Sequence, residues 1–189
     1  TKYFNPSITA QEWNPGDNFI YYRVEEADRV NVYRYIPDKR KFEKLPLKED
    51  VIRSFDISRN GRWATYTGVS VSNSNRGYLL DLKTGESTLI SDPYAKQLNT
   101  LELGEVVDWK FTSSFGDEID GRYYLPPNFD PAKKYPLIVY YYGGTSPTSR
   151  GLESTYPLHV YAAQDYVVYT LQPSGTTGYG QEFSARHVN

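Results

Sequence analysis

The first hundred residues repeat themselves. Trp13-Asn-Pro-Gly-Asp-Asn-Phe-Ile-Tyr-Tyr22 and Ile57-Ser-Arg-Asn-Gly-Arg-Trp-Ala-Thr-Tyr66 follow one pattern: an apolar residue, a set of turn-formers, then a strand opening on a large aromatic. Trp63 follows Phe19 by 44 positions, and each leads into a second pair of strands, 30–36 with 41–45 and 77–82 with 86–90. The intervening Pro37-Asp-Lys-Arg and Lys83-Thr-Gly are ordinary hairpin turns. Four short strands in a unit of about 40–50 residues is the pattern of a β-propeller blade. Propellers close with about 4–8 blades, so two blades belong either to a longer array or to an open sheet. A β-sandwich with two similar hairpins is the alternative. Residues 1–95 are assigned to this all-β, antiparallel part.

The second half has another rhythm. Tyr135-Pro-Leu-Ile-Val-Tyr-Tyr-Tyr-Gly-Gly144 is an apolar run that stops at two glycines. A helical stretch follows, then the run Tyr166-Val-Val-Tyr-Thr-Leu171 and a loop, Gln172-Pro-Ser-Gly-Thr-Thr-Gly-Tyr-Gly180. Strand, glycine turn, helix, strand, glycine turn marks an α/β layer, a kind of fold that carries its chemistry on loops at strand ends. Asp92-Pro-Tyr-Ala-Lys-Gln reads as a linker between the halves. A hairpin is expected between Leu103 and Tyr124, ended by Pro126-Pro127 because proline cannot donate to a ladder. A further helix is expected from Gln181. The predicted fold is therefore mixed, with propeller blades followed, over residues 96–189, by the start of an α/β domain.

Composition narrows the functions. A net charge of −2 offers no basic field to nucleic acid, and without cysteine there is neither a disulfide scaffold nor a thiolate metal site. The two histidines, His159 and His187, are not spaced as a metal pair. No apolar run reaches the roughly 20 residues of a membrane-spanning helix. Nineteen tyrosines fit a chain rich in pleated surface. Methionine is absent even at position 1, which leads us to expect a segment of a longer protein.

Leu125-Pro-Pro-Asn-Phe129, Lys133-Lys-Tyr-Pro-Leu-Ile-Val139, Tyr142-Gly-Gly144 and Pro173-Ser-Gly-Thr-Thr-Gly-Tyr-Gly180, in that order, resemble the prolyl oligopeptidase family, in particular its dipeptidyl-peptidase branch. The resemblance implies a propeller preceding an α/β-hydrolase peptidase domain, peptide substrates, no cofactor, and a secreted or periplasmic location. It also implies a Ser-His-Asp triad with its serine in Gly-x-Ser-x-Gly. No such pattern occurs here, and Ser146 and Ser174 stand in the wrong context. In the family all three triad residues follow the Gly-Tyr-Gly loop, so the triad is absent from this chain and the segment alone is expected to be inactive. Tyr142 matches a family tyrosine whose hydroxyl helps form the oxyanion hole. On its residues alone, the Tyr140–Tyr142 run reads rather as strand aromatics packing alternately on two faces.

Other candidates have blander readings beside them. Glu25-Glu26 suits a substrate ammonium group, or a solvated hairpin tip with its two carboxylates on opposite faces. Trp13 and Trp63 suit sugar stacking or inter-blade packing. His159 and His187 read as helix residues. Thr145 stands where the family commonly has proline, and Ser174 where it often has arginine, which removes an ion pair whose partner the sequence does not name. Two rival functions remain: an aromatic-rich β module binding a glycan or partner protein, and a product that self-associates through uncovered sheet edges.

Overall fold

The computed structural model describes residues 4–188. Strands β1 (Ser7–Asn14), β2 (Phe19–Glu26), β3 (Arg29–Ile36) and β4 (Lys41–Lys44) form one antiparallel meander. A second follows in β5 (Val51–Ile57), β6 (Trp63–Ser70), β7 (Asn73–Asp81) and β8 (Ser87–Ser91). Strands β5, β6 and β7 begin at 51, 63 and 73, each 44 positions after β1, β2 and β3 at 7, 19 and 29. One irregularity repeats as well: the ladder slips between Ile8 and Ala10 in β1, and between Ile52 and Ser54 in β5. A bulge bends its strand and adds twist, so the two units share a backbone path as well as a pattern.

Among the described residues a single backbone bridge, Val30 with Val51, joins the meanders edge to edge. Side chains do the rest. Tyr21, Val32 and Leu45 of the first unit share a core with Ile52, Tyr66 and Leu80 of the second. In β6 the inward positions alternate, and the Tyr66 ring stacks on Tyr78 at 4.9 Å and 10°. Period-two burial on a twisted face is what the aromatic and β-branched residues favour. The result is the β-propeller-like arrangement expected from the repeat.

The stretch read as a linker is partly ordered into a one-turn helix, α1 (Ala95–Leu98). Its start is anchored because Arg76 on β7 donates to the Asp92 carboxylate at 2.7 Å. Beyond it, β9 (Val106–Thr112), β10 (Glu118–Tyr124), β11 (Leu137–Tyr140) and β12 (Val167–Leu171) form a second sheet in the order β11-β12-β10-β9. Strand β10 ends before the two prolines, as expected. Strands β11 and β12 are parallel, joined by a crossover containing α2 (Leu158–Ala162). Leu158 and Ala162 pack on Tyr124 and Val168, forming the second core. A last helix, α3 (Gln181–Ala185), runs into a tighter turn at Arg186–Val188.

Candidate active site: two glycine loops at the sheet junction

Both parallel strands end on the same side, and both end in glycine loops. The loop after β11 begins with Tyr141 and Tyr142, half-exposed at 57% and 53%. The Tyr142 ring folds back over Gly144: a Cβ there would lie 2.5 Å from the ring's Cε1. The absence of a Cβ at Gly144 thus leaves room for the Tyr142 ring in this position, with no unusual backbone angle involved. Among the described residues nothing takes a hydrogen bond from the Tyr142 hydroxyl. Tyr140, one pleat earlier, lies against Tyr156 with ring centroids 5.0 Å apart. Burial, then the Tyr156 and Tyr142 hydroxyls, pushes its own hydroxyl pKa upward.

The second loop pins the first. The Thr177 N–H donates to the Thr145 carbonyl at 2.7 Å. Gln172, at the foot of the second loop, holds Thr148 twice: its Oε1 accepts from the Thr148 N–H at 2.8 Å and its Nε2 donates to the Thr148 carbonyl at 3.0 Å. Arg122, wholly buried on β10, donates to the carbonyls of Thr148, at 3.2 Å, and Ser149.

The blade-like half reaches the same loops. At the β2–β3 turn Ala27 adopts a left-handed φ of 56° and donates its N–H to the Gly178 carbonyl at 2.8 Å. Gly178 has φ +86°, and a Cβ there would sit 2.6 Å from the Ala27 oxygen, so only glycine permits this docking. The β6–β7 turn does likewise, its Ser70 and Val71 carbonyls accepting from the Leu152 N–H and His159 Nε2, each at 2.8 Å.

Glu25 and Glu26 do sit on opposite faces, but their hairpin end is half-buried and engaged rather than a solvated tip. Glu25 accepts from the Thr177 hydroxyl at 3.2 Å. Glu26 accepts from Lys44 and Tyr33, both at 2.8 Å, and from Asn31. Burial opposes its ionisation, yet these donors outweigh burial and hold the carboxyl below its ordinary pKa. The two carboxylates are not brought together. Trp13 and Trp63 lie on the surface, exposed by 60% and 40%, rather than in the inter-blade core. Trp63 instead carries the Arg62 guanidinium 5.1 Å from its ring centroid.

Ser174 donates to the buried Asp117 carboxylate at 2.7 Å, and Arg186, from the end of the chain, pairs with the same carboxylate at 2.7 Å. Asp117 is thus the carboxylate that faces position 174. Neither Ser146 nor Ser174 bonds to a histidine among the described residues. His159 is half-buried at the junction, edge-on to the Tyr124 ring at 5.0 Å, and His187 is in the terminal turn. Sequence reasoning missed Arg122, Arg150, Gln172 and Asp28. The one local signal was an arginine in a strand whose neighbours are tyrosines, because their partners are distant in the chain.

The chain is thus two blade-like meanders docked onto a mixed sheet, with strand-end glycine loops at the junction. No protein-family model matches the chain. Its sequence is similar to the probable dipeptidyl-peptidase 5 of Aspergillus terreus, 45% identical over 175 residues, covering 92% of this chain and 21% of that protein. Dipeptidyl-peptidase 5 of Aspergillus fumigatus is 36% identical over 169 residues, covering 89% and 20%. Among solved structures, the acylaminoacyl peptidase of Pyrococcus horikoshii superposes with a TM-score of 0.81 at 21% identity, covering 97% of this chain and 28% of that one. Dipeptidyl peptidase 4 of Porphyromonas gingivalis gives 0.77 at 20% identity, covering 95% and 26%. The chain belongs to the prolyl oligopeptidase family of serine peptidases, on its dipeptidyl-peptidase branch. It spans about a fifth of the length of the curated relatives it matches.

Proposed function

We propose that this chain is the junction segment of a serine peptidase that releases short peptides from N-termini through an acyl-enzyme. In this reading Tyr142 donates its hydroxyl proton in a hydrogen bond to the oxygen that gains charge as the scissile carbonyl is attacked. The observation that carries it is a phenol with no partner among the described residues, at the end of a strand, on a loop pinned from both halves. A donor held in advance costs no reorganisation when charge develops, which is how such groups accelerate acyl transfer.

Residues 1–95 are then propeller blades and 96–189 the opening of an α/β-hydrolase domain. The parallel β11–β12 pair, its helical crossover and the strand-end loops support that division. Serine, histidine and aspartate belong to parts of the full-length protein outside these 189 residues, and the segment alone is inactive. No metal or cofactor enters the reaction. The secreted or periplasmic location rests on the family resemblance, with cell fractionation as its test. Self-association through the uncovered edge of β11 is read by light scattering.

The deciding experiment compares the full-length protein with its Tyr142→Phe variant on dipeptide substrates bearing a chromogenic leaving group. We expect kcat to fall on the order of 100- to 1000-fold with KM little changed, the pattern of a contact made only in the transition state. Wild-type kcat in the variant would remove Tyr142 from the mechanism. A fluorophosphonate should label the full-length protein and leave the 189-residue segment unlabelled. Labelling of the segment would place a nucleophile where we find none.

A further inference from the structure

The loop that follows Tyr142 ends at Arg150, in a cluster of three arginines and three aspartates. Arg150, buried in the loop, reaches three carboxylates: Asp108 on β9 at 2.7 Å, and Asp28 and Asp50 of the blade-like half, both at 3.3 Å. Asp28 also takes Arg122 at 2.5 Å, and Asp50 takes Arg29. Three arginines thus meet three aspartates, with each half of the chain supplying both signs.

We propose that Arg150 is a positioning residue: through Asp28 and Asp50 it fastens the Tyr142–Gly151 loop to the blade-like sheet, so that Tyr142 is in register only while the two halves are docked. This rests on the oxyanion role proposed above for Tyr142. The geometry favours a positioning role over a merely stabilising one. Taking two charges out of water costs about what their attraction returns, so a buried pair contributes little net stability, and fixing a unique arrangement is its best-attested use. Here the arrangement is a loop of backbone with no strand or helix of its own. Arg122 and Gln172 hold its middle from the second sheet, Thr177 holds Thr145, and Arg150 gives the loop's ion pairs to the first sheet's turn and crossover. A displacement of about 1 Å at a catalytic group can cost 100-fold in rate, so the clamp need yield only slightly to be felt.

The test uses the full-length protein, with Asp50→Asn as the mild variant and Arg150→Lys as the stronger one. Two readouts are taken: kcat and KM on a chromogenic dipeptide, and amide hydrogen exchange over residues 143–149. We expect Asp50→Asn to speed exchange in that loop and lower kcat about 10-fold with KM nearly unchanged. Adding Asp50→Asn to Tyr142→Phe should then produce no further loss, because both act through one hydroxyl. Losses that multiply would show that Arg150 works independently of Tyr142 and overturn the proposal. Unchanged exchange in both variants would overturn it too. If Tyr142→Phe alone keeps wild-type kcat, the oxyanion reading and the catalytic half of this proposal fall together. The exchange data would still decide whether the charge cluster holds the loop.

Discussion

Arg122 and Asp28 face each other at 2.5 Å across the two halves of the chain, the guanidinium wholly buried on a strand of one sheet and the carboxylate on a turn of the other. The same guanidinium bonds the Tyr124 hydroxyl and two loop carbonyls. Its donors are used in every direction, and removing it takes that donor from the Tyr124 hydroxyl and the Ser149 carbonyl and leaves Asp28 with Arg150 alone.

Replacing Arg122 with methionine keeps the volume and discards the charge. Breaking a buried pair by deleting one partner typically costs about 3–5 kcal/mol, since the remaining charge is left buried. Arg122→Met is expected to destabilise by that order in urea titration. Adding Asp28→Asn should recover part of the loss, because the carboxylate left with Arg150 as its one guanidinium partner is then neutral.

His159 makes stability depend on pH. Its Nε2 donates to the Val71 carbonyl at 2.8 Å, which leaves Nδ1 bare, and that atom is buried with no partner among the described residues. Burial holds the imidazole pKa below its ordinary value, with the Val71 bond acting weakly the other way. The unfolded histidine takes its proton near pH 6.5 while the folded one resists. The unfolded state therefore binds more protons, so stability is full above about pH 6.5 and falls as pH drops towards the folded pKa. His159→Gln should flatten that part of a thermal-melting profile between pH 5 and 7.

Gly178→Ala places a methyl group 2.6 Å from the Ala27 carbonyl oxygen at a left-handed backbone angle. The angle alone costs about 1–2 kcal/mol, and the backbone it meets cannot swing aside as a side chain would. A loss of more than about 1 kcal/mol, with faster hydrogen exchange at Ala27, is expected. An unchanged melting temperature would mean the turn and loop are not docked as described.

Gly144→Ala acts on function and spares the fold. The new methyl would displace the Tyr142 ring, and both residues lie on a surface loop away from either core. In the full-length protein kcat should drop by about the factor seen for Tyr142→Phe, on the order of 100-fold or more, with the melting temperature unchanged.

Much of this was legible in the sequence. The offset between Phe19 and Trp63 held through the first three strand starts and even the first bulge, because a repeated pattern of turn-formers and aromatics imposes a repeated backbone. Gly143-Gly144 and the Pro173–Gly180 loop were placed at strand ends by the same local chemistry. The junction was not legible. Arg122, Asp28 and Arg150 are separated by up to 122 positions, and nothing local distinguishes a buried arginine from a solvated one. Glu25-Glu26 was misjudged for that reason: strand alternation was read correctly, but Thr177, the residue that covers Glu25, lies 152 positions away. Asp92-Pro looked like a break, and only the bond from Arg76 shows why a turn of helix forms after it.

The charge cluster has one more consequence. The first half contributes Asp28, Asp50 and Arg29 to it and the second contributes Arg122, Arg150 and Asp108, so the two sides of the cluster carry charges of −1 and +1. A seam closed by aliphatic side chains would resist parting, because water gains nothing from wetting them. A seam closed by ions can trade each partner for hydration at small net cost, and opposite charges draw it shut again over about a Debye length, roughly 8–10 Å. Such a junction is suited to opening and resealing many times without unfolding either side.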